Sequence, residues 1–350
     1  MENKRIKILP VIVSIIITFS LCVTAFLLFF NYYMKNLKVE LTKTETFETV
    51  TVTDTGIADS VEKVYDSVGS IENYKSNRLQ STGSGFVFKV DDNKGYILTN
   101  HHVIEDASKL YFILTNREKV EVEVVGSDKY SDIAVLSIDK DKVIKIAEMG
   151  DNSTTRIGDT VFTVGAPLDS DIYYQSVTRG VISGKERLVE VSNNSSNVIM
   201  EVLQTDAAIN SGNSGGPLCN SNGEVIGINS LKLASSSIEG MGFAIPIEKA
   251  LEYANIFISG EEIKRPFLGI TMYDSYDVNG TFVYAVSENS TASLAGLKRG
   301  DIITKINGVS VNSSSYLKYE LYKYKVGDTI KITYERNSIE NEVEITLISN

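Results

Sequence analysis

The chain has 350 residues, with 45 acidic and 34 basic side chains and a formal net charge of −11 at pH 7. Because binding to nucleic-acid phosphates requires clustered positive charge, this balance argues against nucleic acid as a partner. Hydrophobic residues make up 43% of the chain, enough for a buried core. Two cysteines, Cys22 and Cys219, and two histidines cannot supply a disulfide framework or a convincing zinc site, so we predict no metal and no cofactor.

The N-terminus contains a candidate membrane segment. Residues 8–34 carry no charged side chain, and the first 23 of them are mostly apolar. As a helix these 23 residues would span roughly 34 Å, more than the hydrocarbon core of a bilayer at about 30 Å. Tyr32 and Tyr33 follow, as in an interfacial aromatic belt. We predict that residues 1–34 form a cytoplasmic tip and a single anchor, with residues 35–350 outside; a cleaved signal peptide is the alternative.

The next region predicts a tether followed by a β-rich domain. Residues 35–58 are rich in threonine and charge and are expected to be an exposed linker. Residues 59–258 contain short β-branched or aromatic runs bounded by turn residues, a pattern typical of a two-barrel or sandwich fold. The runs are residues 85–88, 95–99, 110–114, 120–125, 133–138, 160–164, 180–182, 200–203 and 224–229.

The strongest chemical motif surrounds Ser214. It lies in the sequence Asn-Ser-Gly-Asn-Ser-Gly-Gly-Pro-Leu of residues 210–218. Gly212 and Gly215 lack Cβ atoms, so an acyl carbon can approach the hydroxyl closely. The same turn can direct the N–H groups of Gly212 and Ser214 at one point, where an oxyanion would be stabilised. The alternative is an ordinary Gly/Ser surface loop.

A serine nucleophile needs a base, and the candidates are few. The only histidines, His101 and His102, are adjacent and precede Ser214. Asp132 leads into the apolar run 133–138, where a partly buried carboxylate can orient an imidazole and stabilise its charged form. Three other carboxylates are rivals for this role: Asp128, Asp139 and Asp141.

The order of these residues distinguishes between folds. Residues 212–216 also fit the Gly-x-Ser-x-Gly turn of α/β-hydrolases, but that fold places its histidine after the serine, and none follows Ser214. The order His102, Asp132, Ser214 is that of the chymotrypsin-like double β-barrel. A nucleophilic Cys219 is a further alternative, although it lies at the start of an apolar strand, where a structural cysteine is usual.

Several motifs together resemble the HtrA/Deg family. Residues 99–103 (Thr-Asn-His-His-Val), 131–136 (Ser-Asp-Ile-Ala-Val-Leu) and 210–218 are similar to the family's three active-site motifs. Residues 242–246 (Gly-Phe-Ala-Ile-Pro) resemble its closing motif. The resemblance covers residues 80–250 and implies a chymotrypsin-like double β-barrel.

The resemblance also implies roles and activity. His102 would be the base, because the family's catalytic histidine directly precedes valine; Asp132 would orient it and Ser214 would attack. Gly212 and Ser214 would form the oxyanion hole. The implied activity is that of an ATP-independent serine endopeptidase acting on unfolded, damaged or mislocalised proteins, assembled as a homotrimer. The alternative is a non-catalytic, chaperone-like peptide-binding scaffold on the same fold.

Two positions refine this expectation. Asn213 stands where secreted digestive relatives carry an aspartate that pairs with a newly cut N-terminus, so that activation is unavailable. Ile209 occupies a position that lines the primary specificity pocket of the resembling enzymes and would suit a small or medium aliphatic side chain. The family switches by ordering loops, for which the candidates are residues 168–176, 187–197 and 230–239.

Residues 264–350 resemble a PDZ domain of the HtrA type. The resemblance rests on residues 266–270 (Pro-Phe-Leu-Gly-Ile), 292–303 and 306–308. It implies that unfolded polypeptides and C-terminal peptides are partners, and that the peptide pairs with a strand edge. Residues 313–324 would form the groove helix. The peptide carboxylate would bind backbone N–H groups of a loop that comprises Phe267, Leu268, Gly269 and Ile270.

The sequence therefore predicts a mainly β chain with one N-terminal transmembrane helix. The expected organisation is an anchor in residues 1–34, a linker in residues 35–58, a trypsin-like serine protease domain in residues 59–258 and a PDZ domain in residues 264–350.

Overall fold

The computed structural model describes residues 8–41, 56–165, 176–193, 196–230, 240–274 and 279–349. Residues 1–54 and residues 55–350 form two compact units, and each is described by itself. Residues 42–55 of the predicted linker lie outside the described residues, as do most of the predicted loops 168–176 and 230–239.

The first unit contains helix α1 (Ile8–Leu41). Among the described residues, this is the only helix long and apolar enough to cross a membrane, over Leu9–Lys35 with a mean hydropathy of 2.7. The Thr24 hydroxyl donates to the Ser20 carbonyl at 2.8 Å, so this polar group is satisfied within the helix itself. The helix continues beyond the predicted anchor end at residue 34, because residues 35–41 contain neither glycine nor proline.

The second unit begins with helix α2 (Ala58–Tyr65) and a seven-stranded antiparallel sheet. The strand order is β5-β4-β1-β2-β3-β7-β6, and the one-turn helix α3 (His101–Ile104) follows β3. The strands are β1 (Val68–Lys75), β2 (Arg78–Val90), β3 (Lys94–Thr99), β4 (Lys109–Ile113), β5 (Lys119–Glu121), β6 (Glu123–Asp128) and β7 (Ile133–Asp139).

Strand β7 is buried on both faces of the sheet. Ile133 and Val135 join the core that the sheet shares with the following barrel, whereas Ala134 and Leu136 pack in the sheet's own core. Side chains alternate across a strand, so a continuous apolar run can fill two cores at once. Asp132, which immediately precedes this strand, is thereby held by a rigid element.

A closed six-stranded barrel follows, with strand order β10-β13-β12-β11-β8-β9. Its interior contains Val161, Ile182, Leu203 and Leu218, all nearly inaccessible to solvent. The strands are β8 (Thr160–Gly165), β9 (Ser176–Asn193), β10 (Ser196–Thr205), β11 (Pro217–Asn220), β12 (Val225–Asn229) and β13 (Gly242–Pro246).

The prediction of a loop at residues 187–197 is wrong for its described part. Strands β9 and β10 form a long antiparallel hairpin in which Val191 pairs with Val198 and Leu188 pairs with Glu201. Val191 also packs into the shared core. The polar composition concealed an alternating pattern in which one face of each strand is apolar.

Helix α4 (Ile247–Ser259) joins the barrel to the C-terminal domain. Its buried face packs on strands β6, β7 and β12. The helix ends at Gly260, whose φ of 73° lies in the left-handed region that glycine adopts without strain. The buried residues of the helix are Ile247, Ala250, Ala254 and Phe257.

The C-terminal domain has its own core and a separate sheet with strand order β15-β16-β17-β19-β20. Helix α6 (Ser314–Leu321) coincides with the predicted groove helix; Ser313 caps it by accepting from Tyr316 N. Strand β18 pairs with β17, and β14 with β21. The remaining elements are β14 (Pro266–Phe267), β15 (Ile270–Asp274), β16 (Thr281–Val286), α5 (Thr291–Leu294), β17 (Ile302–Ile306), β18 (Val309–Ser310), β19 (Thr329–Arg336), β20 (Ile339–Thr346) and β21 (Ile348–Ser349). The predicted mainly β fold class is confirmed.

Candidate active site

Three side chains predicted from separate motifs meet between the sheet and the barrel. His102 Nε2 lies 2.8 Å from Ser214 Oγ. On the other side of the ring, His102 Nδ1 lies 2.8 Å and 3.0 Å from the two oxygens of Asp132. Ser214 is 5% exposed and Asp132 is 1% exposed. This geometry allows an imidazole to take the hydroxyl proton while a buried carboxylate stabilises the resulting positive charge.

Ser214 is fixed by contacts from both β domains. Its carbonyl accepts from Ser84 N on strand β2 at 2.8 Å, and the following Gly215 N donates to Asn229 O at 2.8 Å. The Ser84 hydroxyl donates to the Gly212 carbonyl. Gly215 has a φ of 83°, and a Cβ there would lie 2.3 Å from Ser84 O. Glycine is therefore required for the turn to approach strand β2.

The same turn contains the two predicted oxyanion donors, Gly212 and Ser214. Gly212 has a φ of 109°, a conformation that favours glycine. Asn213 O accepts from Gly216 N at 3.0 Å. Because the carbonyl and the next N–H of a trans peptide point in opposite directions, the N–H of Ser214 is directed away from Gly216. The oxyanion role of Gly212 and Ser214 stays a prediction.

Asp132 is held in an unusual backbone conformation. Its φ of 56° lies in the left-handed region, which disfavours residues with a Cβ. Its carbonyl accepts from His101 N at 3.1 Å and from Asn100 Nδ2 at 3.0 Å, while its carboxylate accepts from His102 N at 3.1 Å. Strain retained by surrounding contacts is a frequent property of functional sites.

Two residues that sequence reasoning missed complete the site. Ser230 Oγ donates to Asp132 Oδ2 at 2.9 Å, and Ser230 is fully buried. Asn100 Oδ1 accepts from Ser214 Oγ at 3.2 Å. In the sequence, Asn100 directly precedes the two histidines at the end of a predicted strand, and this position could have indicated a role in the site. Ser230 has no comparable sequence signal, because it lies directly after β12 at the start of a predicted loop.

The rival residues occupy other positions. His101 Nδ1 lies 3.2 Å from Ser127 Oγ. Asp128 binds Arg265 through both carboxylate oxygens, at 2.6 Å and 3.0 Å. Cys219 is completely buried, and this burial raises the pKa of its thiol, which disfavours the reactive thiolate.

Ile209, the predicted specificity residue, is half-buried five positions before Ser214. It packs against Gly242 at the start of strand β13, where an added Cβ would lie 2.5 Å from Ile209 Cγ1. This contact places Ile209 beside strand β13. The contact of Ile209 with a substrate stays a prediction.

The predicted carboxylate loop lies in the C-terminal domain. Ala292 N donates to Leu268 O at 3.1 Å, and Ser287 N donates to Gly269 O at 2.8 Å. Since these carbonyls point toward α5 and the end of β16, the N–H groups that follow them point to the opposite side. A cavity of about 530 Å³ adjoins this loop. Its lining includes Phe267, Leu268, Gly269, Ile270, Leu317 and Leu321.

Two family models match the two domains of the chain. A trypsin-like peptidase domain matches residues 83–228, which include all three converging side chains. A PDZ domain matches residues 266–347, which include the carboxylate loop and helix α6.

Known proteins match over most of the chain. Serine protease Do-like HtrA of Bacillus subtilis (strain 168) is 40% identical over 298 residues, which cover 80% of this chain and 66% of that protein. Serine protease Do-like HtrB of the same organism is 39% identical over 338 residues, covering 87% and 74%. The crystal structure of the serine endoprotease from Yersinia pestis superimposes with a TM-score of 0.66 at 33% identity, covering 84% of this chain and 98% of that one.

Replacing the buried carboxylate tests the geometry of the site. Asp132→Asn should lower kcat for a peptide substrate about 10⁴-fold, because a neutral amide cannot stabilise the imidazolium and favours the wrong histidine tautomer. Steady-state kinetics would measure this, with circular dichroism to check folding. Asp139→Asn, at the exposed end of β7, is the matched control and should retain activity within about twofold. A loss below tenfold in Asp132→Asn would contradict the assigned geometry.

Proposed function

The chain belongs to the HtrA family of serine proteases that carry a PDZ domain, and on this basis we propose how it cleaves polypeptides. The observation that carries the proposal is the continuous hydrogen-bonded line from Asp132 through His102 to Ser214, with both outer groups buried. A surface-loop serine or a peptide-binding scaffold requires no such alignment.

In the proposed reaction, Ser214 Oγ attacks the scissile carbonyl carbon as His102 Nε2 takes its proton. The carbonyl π electrons move to oxygen, and the Asp132 carboxylate stabilises the imidazolium. His102 then gives the proton to the leaving amine as the C–N bond breaks, which leaves an acyl ester on Ser214. Water, deprotonated by the same imidazole, hydrolyses the ester and restores the enzyme. The distance from Ser214 Oγ to His102 Nε2, 2.8 Å, is shorter than the distance from Ser214 Oγ to Asn100 Oδ1, 3.2 Å. This difference favours transfer of the hydroxyl proton to the imidazole ring.

The oxyanion formed in each half-reaction would be bound by the N–H groups of Gly212 and Ser214. The loss of one such donor typically costs roughly 3–4 kcal/mol of transition-state stabilisation. The Ser84 contacts to the Gly212 and Ser214 carbonyls support this assignment, because they fix the turn that carries both donors.

The proposed substrates are unfolded, damaged or mislocalised proteins, cleaved without ATP outside the cytoplasmic membrane. Helix α1 would anchor the chain with its N-terminus in the cytoplasm, and the active unit would be a homotrimer. We place the protease domain in residues 59–258 and the PDZ domain in residues 264–350, ranges that contain the two family matches. C-terminal peptides would bind the PDZ domain through residues 267–270.

The nucleophile provides the direct test. Ser214→Ala should lower casein cleavage about 10⁵–10⁶-fold and abolish labelling by a fluorophosphonate, because no other group can form the acyl ester. Ser221→Ala, in an exposed turn of the same barrel, is the matched control and should keep both properties. Undiminished turnover by purified Ser214→Ala would refute the proposed function.

The specificity position yields a separate prediction. Ile209 should direct cleavage after small or medium aliphatic side chains, because an apolar wall offers no partner for a charge. Mass spectrometry of a digested peptide library would show the preference. Ile209→Asp should shift cleavage toward lysine and arginine, whereas Ile157→Asp, at an exposed site, should leave the preference unchanged. Cleavage mostly after lysine or arginine by the unaltered chain would rule the assignment out.

A further inference from the structure

The groove of the C-terminal domain lies between strand β15 and helix α6. Strand β15 is at the end of the sheet order, and among the described residues only β16 pairs with it. Ile270 and Met272 on the strand, with Leu317 and Leu321 on the helix, give the 530 Å³ cavity an apolar wall. A peptide added to this edge would present every second side chain to the same face.

Lys318 gives this apolar groove a positive charge. Its side chain lines the cavity and is half-buried. Its neighbour Lys323 is paired with Glu320 at 2.7 Å, but no carboxylate of the described residues lies within 4 Å of Lys318 Nζ. Arg265, another cation in the cavity lining, is already bound by Asp128. Lys264, a third cation of the lining, is exposed to solvent, so Lys318 is the partly buried cation that a ligand can engage.

The environment of Lys318 favours an incoming anion. Burial lowers the pKa of Lys318, and the charge of Asp274 only partly opposes this effect. A half-buried ammonium group without a close carboxylate gains a charge-assisted hydrogen bond when an acidic side chain binds beside it.

We propose that Lys318 makes the groove select peptides that carry an acidic side chain two residues before an apolar C-terminal residue. The alternation of an added strand places these two side chains on the same face. The apolar residue would contact Leu317 and Leu321, and the acidic one would pair with Lys318. This inference rests on the proposed peptide-binding function of the groove and adds a sequence preference to it.

Fluorescence anisotropy with the full chain in detergent tests the preference. Ser214→Ala is used as background so that the peptides stay intact. Labelled heptapeptides would end in valine and carry Glu, Gln or Lys two residues earlier. At low ionic strength the Glu peptide should bind about 5- to 10-fold more tightly than the Gln peptide. The difference should disappear in Lys318→Met and reverse toward the Lys peptide in Lys318→Glu.

The controls separate this inference from the function of the groove. Lys325→Glu, an exposed residue beyond α6, should keep the preference for the Glu peptide. Equal binding of the Glu and Gln peptides to the Ser214→Ala chain with Lys318 unaltered would overturn the proposed preference. The peptide-binding function of the groove would still stand. If none of the peptides with a free C-terminal carboxylate bound, the proposed peptide-binding function of the groove would itself be refuted. Should Lys318→Glu misfold by circular dichroism, Lys318→Met alone decides between these outcomes.

A second inference rests on the turn before the nucleophile. Asn213 Nδ2 donates to Ala208 O at 3.0 Å, and Asn213 Oδ1 accepts from Asn210 N at 3.0 Å. Thr178 Oγ1 on strand β9 donates to the same Ala208 carbonyl at 2.9 Å. The space around Asn213 is tight, since a Cβ on Gly165 would lie 2.2 Å from Asn213 Cβ. The Asn213 side-chain amide therefore stabilises the conformation of residues 208–213 through two hydrogen bonds within the segment.

We infer that Asn213 is a positioning residue for the oxyanion donors, which lie on either side of it at Gly212 and Ser214. These two hydrogen bonds require one donor and one acceptor in the same side chain. An ionised carboxylate of nearly the same shape can only accept, and it would face the Ala208 carbonyl with a negative charge. A protonated carboxyl group can again donate and accept.

Asn213→Asp tests this requirement through pH. At pH 8 its kcat on a short peptide substrate should be about 10- to 100-fold below that of the unaltered chain, with KM changed less than about threefold. The ratio of variant to unaltered kcat should rise as the pH falls toward 5, because protonation restores the donor. For Asn213→Ala the ratio should be low and constant with pH.

The outcomes are distinguishable from failure of the proposed function. Fluorophosphonate labelling and turnover of the unaltered chain establish the activity of Ser214 first. With that activity present, a ratio for Asn213→Asp that does not change with pH would overturn the inference. If Asn213→Asp fails to fold at pH 8, a refolded sample at pH 5 and the Asn213→Ala variant supply the comparison. Full activity of Asn213→Ala would also overturn it.

Discussion

The buried carboxylate of Asp132 is the group on which the site depends. A charge removed from water is stable only when hydrogen bonds replace its hydration. Here the His102 ring, the His102 backbone N–H and the Ser230 hydroxyl supply them. The carboxylate thereby orients the imidazole toward Ser214, and its left-handed backbone is held through its own carbonyl by His101 and Asn100.

The two β domains place these groups together because they share one core. Phe86 and Leu98 of the sheet pack in the same buried cluster as Phe162 and Ile228 of the barrel. Strand β2 crosses this boundary region, and its Ser84 binds the nucleophile turn through both backbone and hydroxyl. The interface between the domains is thus continuous with the active site, and packing within it controls the distance between base and nucleophile.

Helix α6 connects the peptide groove to the protease domain by direct contact. Ser315 donates to Glu190 at 2.7 Å and Tyr319 donates to Glu201 at 3.1 Å, on strands β9 and β10. Arg265, at the domain junction, stacks 4.9 Å from the Tyr130 ring while binding the carboxylate of Asp128, just before the Asp132 turn. The helix that would bind a peptide on one side therefore contacts the catalytic domain on the other.

The sequence by itself determined the mainly β fold class, most strands, and His102 and Ser214 as two of the three converging side chains, because apolar alternation and a Gly-flanked serine are local signals and the chain has only two histidines. Only the tertiary structure decided the long β9–β10 hairpin, whose polar face concealed its pairing, and the role of Ser230, which has no local signature. It also decided between Asp132 and its rivals: Asp128 is bound by Arg265, 137 positions away in the sequence. Such contacts join residues far apart in the chain, so they follow from packing and not from any local pattern.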